Sequence, residues 1–478
     1  MARAQSRYVC QECGTVVGKW AGRCEACGSW NSIVEEAAEA GPAGGGRSLG
    51  RGGRAVSFVG LAGESTPLER RISGIAEFDR VSGGGLVPGS AVLVAGDPGI
   101  GKSTLLLQAL AALAQNSGGA LPCAYVSGEE SVDQVRLRAA RLGLTEAPVE
   151  LAAATSLRDI LAGLEKLRGA GVVVIDSIQT MFVDTLESAP GTVAKVRACA
   201  QALIRLAKAR GFTLLLVGHV TKEGLIAGPK VLEHMVDCVL TFEGERGHQF
   251  RILRAVKNRF GATNEIGVFE MTDGGLVEVP NPSALFLADR GDAVSGAAVF
   301  AGMEGSRPLL VEIQALVSPS PQANPRRAVV GWDAGRLAMI LAVLEARCGL
   351  VIAGQEVYLN VAGGLRIAEP AADLAVAAAL VSAMRGTPVQ EDCVIFGEIG
   401  LSGEVRTVGQ SEARLKEAKK LGFQHAIVPR RRRAAGTRDR LDGLALREIG
   451  QLSDLVVEIS ESPRPDPALA PHQAEGQR

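Results

Sequence analysis

Aromatic residues are scarce in this 478-residue chain, at 4%: three Trp, three Tyr and twelve Phe. Ala, Val, Leu and Gly carry the apolar content instead, which suits α/β layers better than an aromatic-rich β-sandwich. No apolar run approaches the ~20 residues needed to cross a bilayer, so no membrane partner is expected. The opening Met-Ala-Arg-Ala-Gln-Ser-Arg-Tyr has no apolar leader ahead of Cys10, and a cytoplasmic location is the expectation. Charge of neither sign dominates. With 51 basic and 52 acidic residues the net charge is −1, which leaves nucleic-acid binding open, because a basic patch can be local while the total cancels. Nine cysteines in a reducing compartment do not read as a disulfide framework. Five of them, Cys123, Cys199, Cys238, Cys348 and Cys393, lie scattered in apolar sequence, where a buried thiol is the simple explanation.

Glycine, by contrast, is abundant at 59 residues, and one Gly-rich stretch orders the rest of the chain. Gly96-Asp97-Pro98-Gly99-Ile100-Gly101-Lys102-Ser103-Thr104 fits GxxxxGK[ST]. It follows the strand-like run Ala91 to Ala95 and precedes a helix-like run rich in Ala and Leu, the context that the motif physically requires. Such a loop curls backbone N–H groups around phosphate oxygens, reaches the outer phosphates with Lys102 and holds magnesium with Ser103. Gly96 to Thr104 therefore read as a nucleoside-triphosphate cradle.

Ahead of it stand two matched pairs, Cys10-Gln11-Glu12-Cys13 and Cys24-Glu25-Ala26-Cys27, each followed by a glycine, Gly14 and Gly28. Two CxxC knuckles can wrap one tetrahedral ion, and four thiolates favour zinc. A segment this short would depend on the metal for folding. From Glu35 to about Arg54 the composition turns Gly-rich and apolar-poor, as a flexible linker does.

Beyond the cradle, strand-like and helix-like runs alternate: Cys123 to Ser127, a helix from Ser131 to Leu142, Gly171 to Ile175, a helix from Thr192 to Arg210, and Thr213 to Val217. Apolar strands separated by helices predict a parallel sheet covered on both faces. Ligands bind at the carboxyl ends of such strands. There the sequence places Glu129 with its neighbour Glu130, then Asp176, then His219. Asp176, directly after four aliphatic residues, fits a magnesium-side carboxylate. Glu129 or Glu130 fits a general base, and His219 reads as a γ-phosphate sensor or as a satisfied strand-end histidine.

Arg71 to Ser90, an aspartate and a Gly-rich turn leading through Gly-Leu-Val-Pro-Gly-Ser into the cradle, resembles the opening of RecA-type ATPase cores. Lys257-Asn258-Arg259-Phe260-Gly261, read as following a strand from Gln249 to Leu253, narrows the resemblance. Joined to a four-cysteine module, it resembles the bacterial RadA/Sms family of DNA repair ATPases, from Tyr8 to about Ile459. The resemblance implies ATP, Mg2+ and Zn2+ as cofactors. It makes Asp176 the magnesium-side carboxylate, Glu129 the residue that polarises the attacking water, and His219 the γ-phosphate sensor. Lys257 and Arg259 would act in trans on the neighbouring subunit's nucleotide, in a homo-oligomer expected to be a hexameric ring. Single-stranded and branched DNA and a RecA-type recombinase are the implied partners.

After Pro280 and Pro282 the character changes. Strands predominate from Gly296 to Val317, followed by a helix from Arg336 to Glu345, a strand from Val357 to Val361 and an Ala-rich helix from Asp373 to Met384. With Gly397-Glu398-Ile399-Gly400-Leu401-Ser402-Gly403-Glu404-Val405-Arg406, the region is similar to the proteolytic domain of Lon protease. At the positions where that resemblance puts the nucleophilic serine and the lysine base stand Ala371 and Glu412. Alanine cannot attack a carbonyl and glutamate has no amine to activate a serine, so peptidase activity is not expected. Arg326, Arg327, Arg385, Arg406, Arg414, Lys416, Lys419, Lys420 and Arg430 to Arg433 are candidates for phosphate contacts or for a solvated face.

The expected architecture is thus α/β. A small zinc ribbon (8–34) and a linker (35–65) precede a RecA-type P-loop ATPase core (66–282). A C-terminal α+β domain (283–460), Lon-protease-like and ribosomal S5 domain 2-like, is followed by a disordered tail (461–478). A DNA-dependent ring motor or helicase extending strand exchange or branch migration is the leading functional expectation. A nucleotide-switched DNA-binding scaffold is the alternative.

Overall fold

The computed structural model describes residues 6–10, 15–26, 28–30, 32–37, 69–167, 171–184, 191–219, 230–244, 249–263, 265–287, 294–322, 324–430, 440–441 and 443–461. It divides into two compact units, 1–279 and 280–478. Among the described residues no helix is long and apolar enough to cross a membrane.

At the N-terminus β1 (Ser6–Cys10) pairs antiparallel with β2 (Val16–Val17) and β3 (Ile33–Ala37). Helix α1 (Ala76–Val81) introduces the core. The Asp79 carboxylate accepts from Ser73 N (3.0 Å), Ser73 Oγ (2.8 Å) and Gly74 N (2.9 Å), and its carbonyl accepts from Gly84 N and Gly85 N. The aspartate of that opening phrase thus ties its own turn together.

The core continues β4 (Ala91–Gly96), α2 (Lys102–Asn116), β5 (Cys123–Ser127), α3 (Val132–Arg141), β6 (Val149–Ala153), α4 (Leu157–Leu164), β7 (Val172–Asp176), α5 (Val193–Arg210), β8 (Thr213–His219), α6 (Lys230–Glu233), β9 (Cys238–Glu243), β10 (Phe250–Asn258), β11 (Ile266–Thr272) and β12 (Gly275–Glu278). Its nine strands lie in the order β12-β11-β10-β9-β4-β8-β7-β5-β6. From β9 to β6 the pairing is parallel, whereas β10, β11 and β12 add antiparallel. The sheet is therefore mixed rather than wholly parallel. The short links between β9, β10, β11 and β12 are hairpins, which cannot make the crossover that a parallel pair requires.

Continuous apolar runs build the parallel part because both of its faces are covered. Leu93, Val173, Ile175, Leu214 and Leu216 pack on the α4–α5 side, while Val92, Val94, Val172, Val174, Leu215 and Val217 pack on the α2–α3 side. Cys123, Cys199, Cys238 and Cys393 are buried and Cys348 is half-buried. Burial pushes the Cys123 and Cys199 thiols up to about 11 and that of Cys238 to about 12.

The second unit begins with α7 (Pro282–Phe286), so the units divide at Val279/Pro280, three residues ahead of the boundary drawn at 282. It continues β13 (Ala297–Glu304), β14 (Arg307–Pro319), β15 (Arg327–Val330), α8 (Ala334–Cys348), β16 (Gln355–Val361), α9 (Asp373–Arg385), β17 (Cys393–Ile395), β18 (Glu398–Ile399), β19 (Val405–Arg406), α10 (Ser411–Lys420), β20 (His425–Pro429), β21 (Arg440–Leu441), β22 (Leu444–Ile449) and α11 (Leu452–Glu461). Eight strands form a mixed sheet, β15-β16-β14-β13-β17-β20-β22-β21. Helix α9 is buried all round from Asp373 to Ser382, which is why its sequence carries no polar stripe. Small Ala side chains let it lie close to β13 and β14.

Candidate active site

The cradle starts where β4 ends. Gly96 has φ +156°, and a Cβ there would lie 2.5 Å from the Phe242 carbonyl oxygen of neighbouring β9. Gly101, at φ +113°, starts α2, which has no side-chain cap and no acidic residue in its first turn. Its free N–H groups and positive dipole end suit an anion. Asp97, Pro98 and Gly99 are exposed, while Ile100 is buried in the core below. Lys102 is buried, and its Nζ donates to the carbonyls of Gly96 and Asp97, both at 2.8 Å. Burial pushes its ammonium down to about 8, against the upward pull of Asp176, Asp97 and Glu129.

Three adjacent strands, β5, β7 and β8, deliver the polar residues. Glu129 Oε1 accepts from Ser177 Oγ at 2.5 Å and lies 3.1 Å from His219 Nε2. The other imidazole nitrogen, His219 Nδ1, is buried with no hydrogen-bond partner among the described residues. Asp176 Oδ2 accepts a short hydrogen bond from the Tyr125 hydroxyl. The Asp176–Ser177 peptide bond is cis. Gly128 N, in the turn carrying Glu129, donates to the Asp176 carbonyl at 2.7 Å, and Gln179 Nε2 donates to that of His219 at 3.3 Å.

The two glutamates go different ways. Glu129 joins Ser177 and His219, whereas Glu130 forms an ion pair with Arg138 on α3. Sequence reasoning overlooked Tyr125, which sits in an apolar strand like any packing residue, and gave no role to Ser177 or Gln179. Their position beside a strand-end carboxylate was the available signal.

Lys257 and Arg259 do not join this cluster. Strand β10 runs on past Leu253 to Asn258, with a bulge between Ala255 and Lys257 that the apolar pattern does not reveal. Lys257 Nζ donates to the carbonyls of Glu233 (2.5 Å) and Val236 (2.9 Å), and half-exposed Arg259 lies 3.7 Å from Asp237.

Family models match three parts of the chain: an AAA domain over 61–224, a rubredoxin metal binding domain over 8–35, and subunit ChlI of Mg-chelatase over 336–432. The DNA repair protein RadA of Brucella abortus is 58% identical over 468 residues, 97% of this chain and 99% of that protein. That of Pseudomonas aeruginosa is 54% identical over 430 residues, 90% of this chain and 94% of its own. The chain belongs to the RadA family of DNA repair proteins. It is accordingly a DNA repair ATPase with a nucleotide-binding core and an N-terminal metal-binding ribbon. A KaiC-like protein from Pyrococcus horikoshii aligns at 23% identity and TM-score 0.37, over 45% of this chain and 100% of its own.

In this RadA-family chain Ser103 stands in the first turn of α2 and Asp176 ends β7, and a hydroxyl and a carboxylate are both oxygen donors of the kind magnesium takes. In the ribbon, Cys10 and Cys24 are buried together with Ile33. Cys10 N donates to Thr15 O and Cys24 N to Ser29 O, both at 2.9 Å, so the first cysteine of each pair bonds the carbonyl five residues on. Cys13 and Cys27 lie outside the described residues.

Several basic candidates have partners within the second unit. Arg414 is fully buried, donating to the Ala301 carbonyl at 2.8 Å, pairing with Glu369 and stacking on Phe396. It is a core residue, not a phosphate contact. Arg406 pairs with Glu404 at 2.5 Å and Lys416 with Glu412 at 2.7 Å. Ala371 is buried just ahead of α9. Arg431 to Arg433 lie outside the described residues.

Proposed function

We propose that this protein is a DNA-dependent ATPase that works in the cytoplasm as a hexameric ring motor on single-stranded and branched DNA. With a RecA-type recombinase as partner, it would extend strand exchange or branch migration. Membership of a DNA repair family supports the DNA task. The observation that carries the hydrolytic reading is the Glu129 carboxylate, held by Ser177 and His219 at the ends of adjacent strands, with Asp176 and Lys102 beside it.

In this reading Gly96 to Thr104 wrap the triphosphate and Lys102 holds its outer phosphates. Ser103 and Asp176 hold magnesium, which when bound neutralises phosphate charge. Glu129 orients the attacking water and takes its proton. His219, bonded to the same carboxylate, senses whether the γ-phosphate is present. Lys257 and Arg259 act on the nucleotide of the adjoining copy, where cations stabilise charge developing on the transferred phosphoryl group. Arg259 is half-exposed and at 3.7 Å its pairing with Asp237 is long, so it is readily released for that role; Lys257 must exchange two carbonyls for the phosphates. Four thiolates, Cys10, Cys13, Cys24 and Cys27, hold zinc in the ribbon.

Glu129→Gln keeps the size of the side chain but cannot accept a proton. It should bind ATP normally, hydrolyse it about 10²–10⁴-fold more slowly and fail to unwind forked DNA. ATP turnover within a few-fold of wild type would overturn the assignment. Wild-type protein that hydrolysed ATP on DNA without ever unwinding a fork would favour the nucleotide-switched scaffold.

A further inference from the structure

Tyr125 is a fully buried polar side chain that the hydrolytic scheme above does not use. It lies at the centre of β5, opposite Val174 of β7, with Ser127 opposite Asp176. Side chains two apart on a strand share a face. Tyr125, Val174 and Asp176 therefore all point to the α2 side of the sheet, and Tyr125 and Val174 pack in the apolar cluster under α2. From one register step back along the strand, the long phenol reaches Asp176 Oδ2 with its hydroxyl. A buried hydroxyl needs an acceptor, and here the acceptor is the carboxylate that the proposed scheme assigns to magnesium.

We infer that Tyr125 is a positioning residue that fixes the rotamer of Asp176 and so sets how tightly the nucleotide site takes a divalent cation. With Oδ2 engaged by the phenol, the carboxylate is held in one orientation toward the nucleotide site. Outer-shell partners that orient a ligating carboxylate commonly govern metal affinity. The other hydroxyl on this face of β5, that of Ser127 at the strand's end, accepts from Glu130 N in the turn that follows, at 2.8 Å.

The inference rests on Asp176 being the magnesium-side carboxylate, and the test separates the two. A fluorescent non-hydrolysable ATP analogue is titrated against Mg2+ with wild type, Tyr125→Phe, Asp176→Asn and the double variant. Tyr125→Phe removes only the hydroxyl. It should raise the Mg2+ concentration for half-maximal tight binding about tenfold, the scale of a lost hydrogen bond to a charged group, and leave metal-free nucleotide affinity unchanged. On the Asp176→Asn background it should add little. An unchanged Mg2+ midpoint in Tyr125→Phe, or an undiminished effect in the double variant, overturns the positioning role. Weaker binding with and without Mg2+ alike makes Tyr125 a packing residue and also overturns it. A normal Mg2+ midpoint in Asp176→Asn would instead sink the underlying assignment of Asp176.

Discussion

Lys102 should take up a proton when nucleotide binds at alkaline pH. In the free protein its ammonium is buried and titrates at about 8, where an exposed lysine titrates near 10.4. A triphosphate against Nζ restores the charged form, because an opposite charge within a few ångströms favours it. At pH 8.5 the free site is about one quarter protonated and the bound site nearly full, an uptake of about 0.75 proton; at pH 7 the uptake is only about 0.1. ATP itself is fully ionised at the higher pH. Calorimetric titration in two buffers of different ionisation enthalpy reads the number directly. Lys102→Arg keeps its charge throughout and should remove the uptake, and wild-type affinity should weaken about tenfold per pH unit above 8. The sign for stability follows from the same shift. Between about 8 and 10.4 the unfolded chain binds more protons than the folded one, so this group's contribution to stability rises with pH across that window. Below 8 the full cost of burying the cation is present. Uptake at pH 8.5 no larger than at pH 7 would refute the reasoning.

For the trans pair, mixing Lys257→Ala with Lys102→Ala subunits should restore partial ATP turnover, since some neighbouring pairs then form one complete site. No recovery at any ratio counts against action in trans. In the ribbon, a Cys24→Ser, Cys27→Ser variant should carry about one zinc fewer per chain by elemental analysis. Unchanged zinc content would remove the four-cysteine assignment.

Local pattern was enough for the elements that depend on local chemistry. The cradle, the buried strands Cys123–Ser127 and Val172–Asp176, and the residues at their ends follow from glycine placement and unbroken aliphatic runs, which physics confines to strands covered on both faces. Tertiary structure alone decided which of those residues meet. Glu129 and Glu130 are adjacent and chemically identical, and only the approach of Ser177 and His219 to one and of Arg138 to the other tells them apart. Arg414 reads as a surface cation because charged residues are mostly exposed, yet Glu369, a carbonyl and the Phe396 ring receive it in the core. Tyr125 reads as packing until parallel register puts Asp176 within reach of its hydroxyl. A sequence specifies what each side chain can do by its chemistry and what its strand or helix will be by its period. Pairings between residues tens of positions apart depend on strand order and register, and no local pattern encodes those.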